Sequence, residues 1–155
     1  MNNRYVSKVS VTRPDNTTPY SSLDVLGTDP ATVLEFPNIA PPGGGPIILV
    51  YSSLMVSLGT SGIGQTRLHL YSTAPGAIAD NAVCNLPSGD RDKYLGYVTL
   101  GTPLDLGDTM FVEDDYLRKP VVATGSSLFA IAQTLSAFTP SAQAVKTWHL
   151  RSVLG

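Results

Sequence analysis

Apolar residues recur along this chain with a period of two, in short runs broken at close intervals by Gly, Pro, Ser and Thr. Residues 66–72 show the pattern most cleanly: Leu68 and Leu70 fall on one side, Arg67, His69 and Tyr71 on the other. Successive side chains of a strand point to opposite faces, so this segment reads as a strand with one face on a core and the other toward solvent or a partner. The same alternation predicts strands over residues 5–12, 46–58, 94–100, 109–113, 120–124, 127–135 and 145–154, with shorter runs at 23–26 and 32–36. In the last of these Trp148, Leu150 and Leu154 share a face, which puts Trp148 in the core. No window of about eleven residues carries an apolar stripe at helical spacing free of Pro and Gly, so helix is confined to a turn or two. Asp80 and Asn81 are placed to cap one such turn inside the irregular stretch 73–91. Pro41-Pro42-Gly43-Gly44-Gly45 marks a loop over residues 37–46, and residues 59–64 turn the chain.

About eight to ten short strands must hide their apolar faces against one another. The prediction is a single all-β domain over residues 1–155, an antiparallel two-sheet sandwich of jelly-roll or Greek-key type. The long connections at 37–46 and 73–93 favour a jelly roll over an up-and-down barrel. No cysteine pair flanks Trp148, so the immunoglobulin pattern is missing. Residues 1–22 have two readings: an extended amino-terminal anchoring segment, or, for residues 5–12, simply a strand of the sandwich.

Composition narrows the function. The chain is 43% hydrophobic and 14% charged, against roughly 25% charged for an ordinary soluble domain, which excludes disorder and leaves few charges to coat the surface. Apolar or Ser/Thr-rich faces are therefore expected to meet a partner, including a copy of the same chain. The longest apolar run, residues 47–51, is far short of the roughly 18 residues that span a bilayer, so no membrane partner is expected. Ten basic and twelve acidic side chains leave a net charge of −2. The basic ones are scattered apart from Arg118-Lys119, so no nucleic-acid partner is expected either. Met1-Asn2-Asn3-Arg4-Tyr5 lacks the apolar core of a secretory signal, which points to synthesis in a cytoplasm. The single cysteine, Cys84, excludes an intrachain disulfide and reads as a small buried hydrophobe.

Candidate chemistry is sparse. His69 and His149 each lie mid-strand with no second histidine two or four residues away, so no metal site is expected. Gly59-Thr60-Ser61-Gly62-Ile63-Gly64 lacks both the Lys-Ser/Thr ending of a phosphate loop and the third glycine of a dinucleotide fingerprint; it reads as a hairpin turn. Glu113-Asp114-Asp115 lacks calcium-loop spacing and reads as a solvated strand end. No Gly-x-Ser-x-Gly elbow is present. No catalytic residue, cofactor or metal is expected, and the chain is not expected to be an enzyme. A buried carboxylate pair or a bound metal would revive that reading.

Three stretches carry a family resemblance. They are Val11-Thr12-Arg13-Pro14-Asp15-Asn16-Thr17-Thr18-Pro19-Tyr20 with Leu23-Asp24-Val25-Leu26-Gly27; Leu68-His69-Leu70-Tyr71-Ser72-Thr73-Ala74-Pro75 with Asp80-Asn81-Ala82; and the run from Ser127 to Leu135 with Phe138-Thr139-Pro140-Ser141-Ala142. Together they resemble the jelly-roll capsid decoration, or cement, proteins of tailed bacteriophages. The chain departs from that family in the Pro/Gly-dense loop over residues 41–46. The resemblance implies a homo-oligomeric knob, a trimer in the usual case, bound to the major capsid protein on the outer surface of the virion, made in the host cytoplasm and bridging capsomers. No catalytic residues come with it. Tyr5, Val9, Val11, Arg13, Pro14 and Tyr20 are the residues expected to contact the capsid or a neighbouring copy. The alternative is a phage tail or fibre-tip domain that binds a host receptor or glycan, although no repetitive shaft precedes the domain here.

Overall fold

The structure, a computed structural model, describes residues 3–57 and 62–155. The described residues form ten strands: β1 (Arg4–Thr12), β2 (Leu34–Phe36), β3 (Gly45–Ser57), β4 (Thr66–Tyr71), β5 (Tyr94–Leu100), β6 (Leu104–Asp105), β7 (Thr109–Asp114), β8 (Lys119–Ala123), β9 (Leu128–Thr134) and β10 (Val145–Leu154). They make two antiparallel sheets. The larger runs β1-β10-β3-β7-β6, with β8 also paired to β3; the smaller runs β2-β9-β4-β5. From β1 to β4 the chain changes sheet at each step, and the first and last strands lie side by side. That is the jelly-roll connectivity expected of a sandwich whose crossing connections are long.

Alternation explains the core. Val11, Leu49, Leu54, Val56, Trp148 and Leu150 face inward from the larger sheet, and Phe36, Leu68, Leu70, Val98, Leu128 and Ala130 face them from the smaller. Trp148 is fully buried, as its alternation with Leu150 predicts. The inward phase runs on through buried Ser152, past a register shift whose extra residue, Val50, lies on β3, and Leu154, opposite Ile47, ends 40% exposed at the sheet's margin. β7 and β8 occupy successive halves of the same side of β3, interrupted by residues 115–118.

The loop expected over residues 37–46 forms but ends at residue 44, because β3 already pairs with β8 from Gly45. Gly44 sits at φ +81, and a Cβ there would run into the backbone of Ala123 and Thr124. Only glycine accepts both demands. Residues 59–61 of the expected turn and phosphate-loop lookalike over 59–64 lie outside the described residues.

Two sequence expectations need correction. Asp80 and Asn81 cap no helix; among the described residues the one helical segment is a 3-10 turn over Ser88–Lys93, preceded by Pro87. Asp80 spends its carboxylate elsewhere. The outward side of β4 does not meet solvent either. Tyr71 is buried and His69 half-buried, because residues from 78 to 86 fold back over the smaller sheet and pack Ile78, Cys84 and Leu86 against Val25, Tyr71, Ile131, Tyr94 and Phe129. Tyr71, Ile131 and Phe129 offer too much apolar surface to be left wet, and this second small core covers it.

Candidate contact surfaces

The six residues singled out from the sequence separate along the phase of β1. Tyr5, Val9 and Val11 share the inward phase: Val11 is buried in the core, Val9 packs half-buried against it, and Tyr5 is half-buried at the far end of the strand. Arg13 continues that phase past the end of the strand and is 1% exposed. Tyr20 is buried, and Pro14 is half-buried at the rim. Val11, Arg13 and Tyr20 thus present no side chain to a partner; what remains at the surface is Tyr5, Val9 and Pro14.

Arg13 and Tyr20 belong instead to a buried polar cluster. Arg13 Nε donates to Tyr20 Oη at 3.0 Å, and Tyr20 Oη donates in turn to Asp80 Oδ1 at 2.5 Å. Arg13 Nε also lies 3.8 Å from Asp80 Oδ2. The rest of the guanidinium donates to the carbonyls of Asn16 and Thr18, and Asp80 Oδ1 accepts from Gly27 N–H at 3.0 Å. Every strong polar group of this set has a partner, which is the condition for burying charge without a heavy loss. Burial, then the neighbouring Asp80, pushes the Tyr20 hydroxyl far above its usual range. The cluster fastens the 78–86 segment to the β1–β2 connection.

Lys146 is its neighbour and its exception. It is 1% exposed on the inward face of β10, with its ammonium 5.7 Å from the Tyr20 ring centroid and no hydrogen-bond partner among the described residues. Burial, and then Arg13, hold its pKa down at about 8, against the pull of Asp80. A sequence signal existed for both cations: each falls on the inward phase of an alternating strand, where a charge needs a buried partner.

The smaller sheet carries a second ordered network. His69 Nε2 donates to Gln133 Oε1 at 2.8 Å, since that oxygen can only accept, and Tyr94 Oη then donates to Nδ1 at 2.9 Å. Gln133 Nε2 donates onward to Leu23 C=O. Burial holds the imidazole below its ordinary pKa, hence neutral. Burial likewise raises the Cys84 thiol, which keeps it unreactive. Among the described residues no three His, Cys, Asp or Glu side chains gather as metal ligands do, and no helix is long and apolar enough to cross a membrane.

The larger sheet's outer face is different. Val6, Lys8 and Ser10 of β1 and Met55 of β3 stand exposed there, with Thr147, His149 and Arg151 of β10 between them and Leu104 at the opposite margin. Among the described residues no segment folds over this face as 78–86 folds over the other. At one end a groove of about 730 Å3 is lined by Arg4, Tyr5, Val6, Tyr51, Arg118 and Arg151, with Asp115 on its wall. Arg151 stacks on the Tyr51 ring at 4.2 Å, and Tyr51 Oη donates to Glu113.

No protein-family model and no curated protein matches the sequence. Among solved structures, a capsid structure of the Helicobacter pylori bacteriophage KHP30 is 14% identical, over 99% of this chain and 89% of that one, at a TM-score of 0.37. Eiger TNF from S. frugiperda is 7% identical over 99% and 94%, at 0.36. The particle of Israeli acute paralysis virus is 10% identical over 95% and 69%, at 0.31. At these identities and overlaps the likeness transfers neither a partner nor a position in a particle to this chain.

Proposed function

We propose that this chain is a virion structural protein, a decoration or cement protein that binds the outside of a phage capsid as a homotrimer and stabilises the shell by bridging capsomers. The observation that carries the reading is the uncovered outer face of the larger sheet. It is a broad surface on an ordered β scaffold, in which exposed Val6, Met55 and Leu104 are interspersed with Ser and Thr. The family resemblance of the sequence supports it independently. A cement protein works by contact, holding neighbouring subunits against the outward pressure of packaged DNA, and many modest contacts repeated over a shell sum to firm attachment. In this reading the partner is the major capsid protein, the place is the outer surface of the virion, and the chain is made in the host cytoplasm and released by lysis.

The test is the copy number in purified virions of the phage that encodes it, measured by quantitative mass spectrometry against the major capsid protein. A number in fixed proportion to the capsid subunit, and of the same order, is the expected result. A handful of copies would move the chain to the tail or fibres, and absence from virions would overturn the reading altogether.

A further inference from the structure

We infer that the free edge of β1 is an acceptor for one extended acidic strand supplied by a partner chain, which adds to the larger sheet beside Arg4, Val6 and Lys8. The decoration reading enters only as the source of that strand, an exposed segment of the capsid protein.

The backbone shows which groups are free. β1 is the outermost strand of its sheet and, among the described residues, pairs only with β10. The hydrogen bonds flanking that ladder run from Leu154 N–H to Asn3 C=O and from Arg13 N–H to Ala144 C=O. In an antiparallel pair alternate residues bond across, so the odd-numbered residues of β1 direct N–H and C=O at β10. Arg4, Val6, Lys8, Ser10 and Thr12 therefore direct theirs away from it, along nine residues of edge. A row of unpaired donors and acceptors is a template for another strand, and main-chain pairing supplies affinity in that mode of recognition.

The side chains choose the sign. The same even-numbered residues put Arg4 and Lys8 on the outer face with Val6, 62% exposed, between them. Arg151 stands opposite Val6 in the ladder, and Arg118 lines the adjoining groove, with Asp115 the one acid of that lining. The groove thus holds three guanidinium groups and one carboxylate on a chain whose net charge is −2. A strand laid along this edge meets a cation, an apolar side chain and a cation at two-residue intervals. Its complement is an acid, an apolar residue and an acid at positions i, i+2 and i+4 of one strand face.

That pattern excludes a copy of this chain as the occupant. Two β1 strands brought edge to edge would set cations against cations. No two of the twelve acidic residues in the sequence lie four apart. The acidic strand comes from a chain of different sequence.

The experiment uses the full 155-residue protein and two blocked heptapeptides, Thr-Glu-Thr-Val-Thr-Glu-Thr and its Lys-for-Glu counterpart. Amide exchange followed by NMR should show slowed exchange at Val6, Lys8 and Ser10 with the acidic peptide and none with the basic one. Val6→Pro removes a donor that β10 does not use, at an edge position where proline is tolerated. It should weaken acidic-peptide binding about tenfold or more, the worth of one or two backbone hydrogen bonds. Lys8→Glu, an exposed surface change, should weaken it by a similar factor with the melting curve unchanged. Unprotected edge amides, or a Val6→Pro protein that binds like wild type, would overturn the inference. Should Val6→Pro lower the melting temperature, Lys8→Glu decides alone, and wild-type binding by that variant sinks the idea. A protein abundant on shells that ignores the acidic peptide would defeat this inference and leave the decoration reading standing. One that binds the peptide but is absent from virions would do the reverse.

Discussion

The two sheets of this sandwich share a core and treat their outer faces oppositely. The smaller sheet turns Tyr71, Ile131 and Phe129 outward, and the chain covers them with Ile78, Cys84 and Leu86 from residues 78–86, fastened by Asp80 to Arg13 and Tyr20. The larger sheet turns Val6, Met55 and Leu104 outward and leaves them bare. Both faces carry apolar side chains, two residues apart along β9 on the smaller sheet and singly between polar neighbours on the larger, as Val6 stands between Arg4 and Lys8. What differs is that one face has its cover built into the chain, and the other is open for a partner to supply one. Burial on the first face contributes to folding; burial on the second is available only to association.

The comparison predicts a steep difference in what each face contributes to stability. The largest effect is expected at the fastening. Asp80→Ala leaves Arg13 buried without its counter-charge and should cost about 3–5 kcal/mol, the usual penalty for breaking a buried ion pair from one side. Urea unfolding measures it. A loss below about 1 kcal/mol would mean that residues 78–86 stay in place without the Arg13–Tyr20–Asp80 cluster. Next is the cover's contact surface. Tyr71→Ala empties the second core and should cost about 3 kcal/mol by lost burial and residual cavity. In wild type, burial raises the Tyr71 hydroxyl to about 12 and that of Tyr20 still further, so the loss of one of the phenols still un-ionised at pH 11, on going from wild type to Tyr71→Phe in a spectrophotometric titration, would report the same cover.

How much of this was legible follows from what each feature is made of. Strand alternation is local, so β1, β3, β4, β5, β9 and β10 could be placed from residue types alone, and the jelly roll followed from their number and the long connections between them. β6 has two residues, Leu104 and Asp105, too few to show a period. The cover over residues 78–86 is irregular and has no period at all; its contacts with Val25 and Ile131 join segments about fifty residues apart on either side, and nothing at Ile78 or Leu86 marks them as partners. Arg13 and Asp80 are further apart still in the sequence. Their pairing left only an indirect trace, an arginine on the inward phase of a strand, which demands an acid without saying which. The contact residues suffered from the same gap. Val11, Arg13 and Tyr20 were grouped by proximity in sequence, whereas the fold sends them inward and brings Arg4, Val6 and Lys8 to the edge.

Lys146 gives an intermediate effect with a definite pH signature. Its pKa of about 8 in the folded chain lies below the 10.5 of a free lysine. Between those values the unfolded chain binds more protons than the folded one, so this residue's contribution to stability rises with pH from 8 toward 10.5. Lys146→Met keeps the length and removes the buried charge. It should raise stability at pH 7 by about 1–3 kcal/mol, and that advantage over wild type should shrink as the pH approaches 10. Comparing the two proteins cancels the tyrosines, which titrate in both. An advantage that is constant with pH would place the ammonium of Lys146 in water.

The smallest expected effect is the one that sharpens the comparison most. Met55→Ala and Leu104→Ala, on the bare face, should each change unfolding stability by less than about 0.5 kcal/mol, because the removed side chains are already in contact with water. Leu104 is 65% exposed and β6 adds little to the sheet that a shortened side chain could disturb. On the decoration reading, the same substitutions should weaken attachment to capsids purified without this protein, and the double variant should weaken it further, since side chains that are neutral in folding are the ones free to be used in association. A cost of 2 kcal/mol or more for either single change, on the scale of a buried side chain, would mean that the larger sheet has a cover of its own, and the contrast between the two faces would fall. Unaltered capsid attachment with unaltered stability would leave the contrast intact and move the proposed shell contact off this face, to the edge of β1.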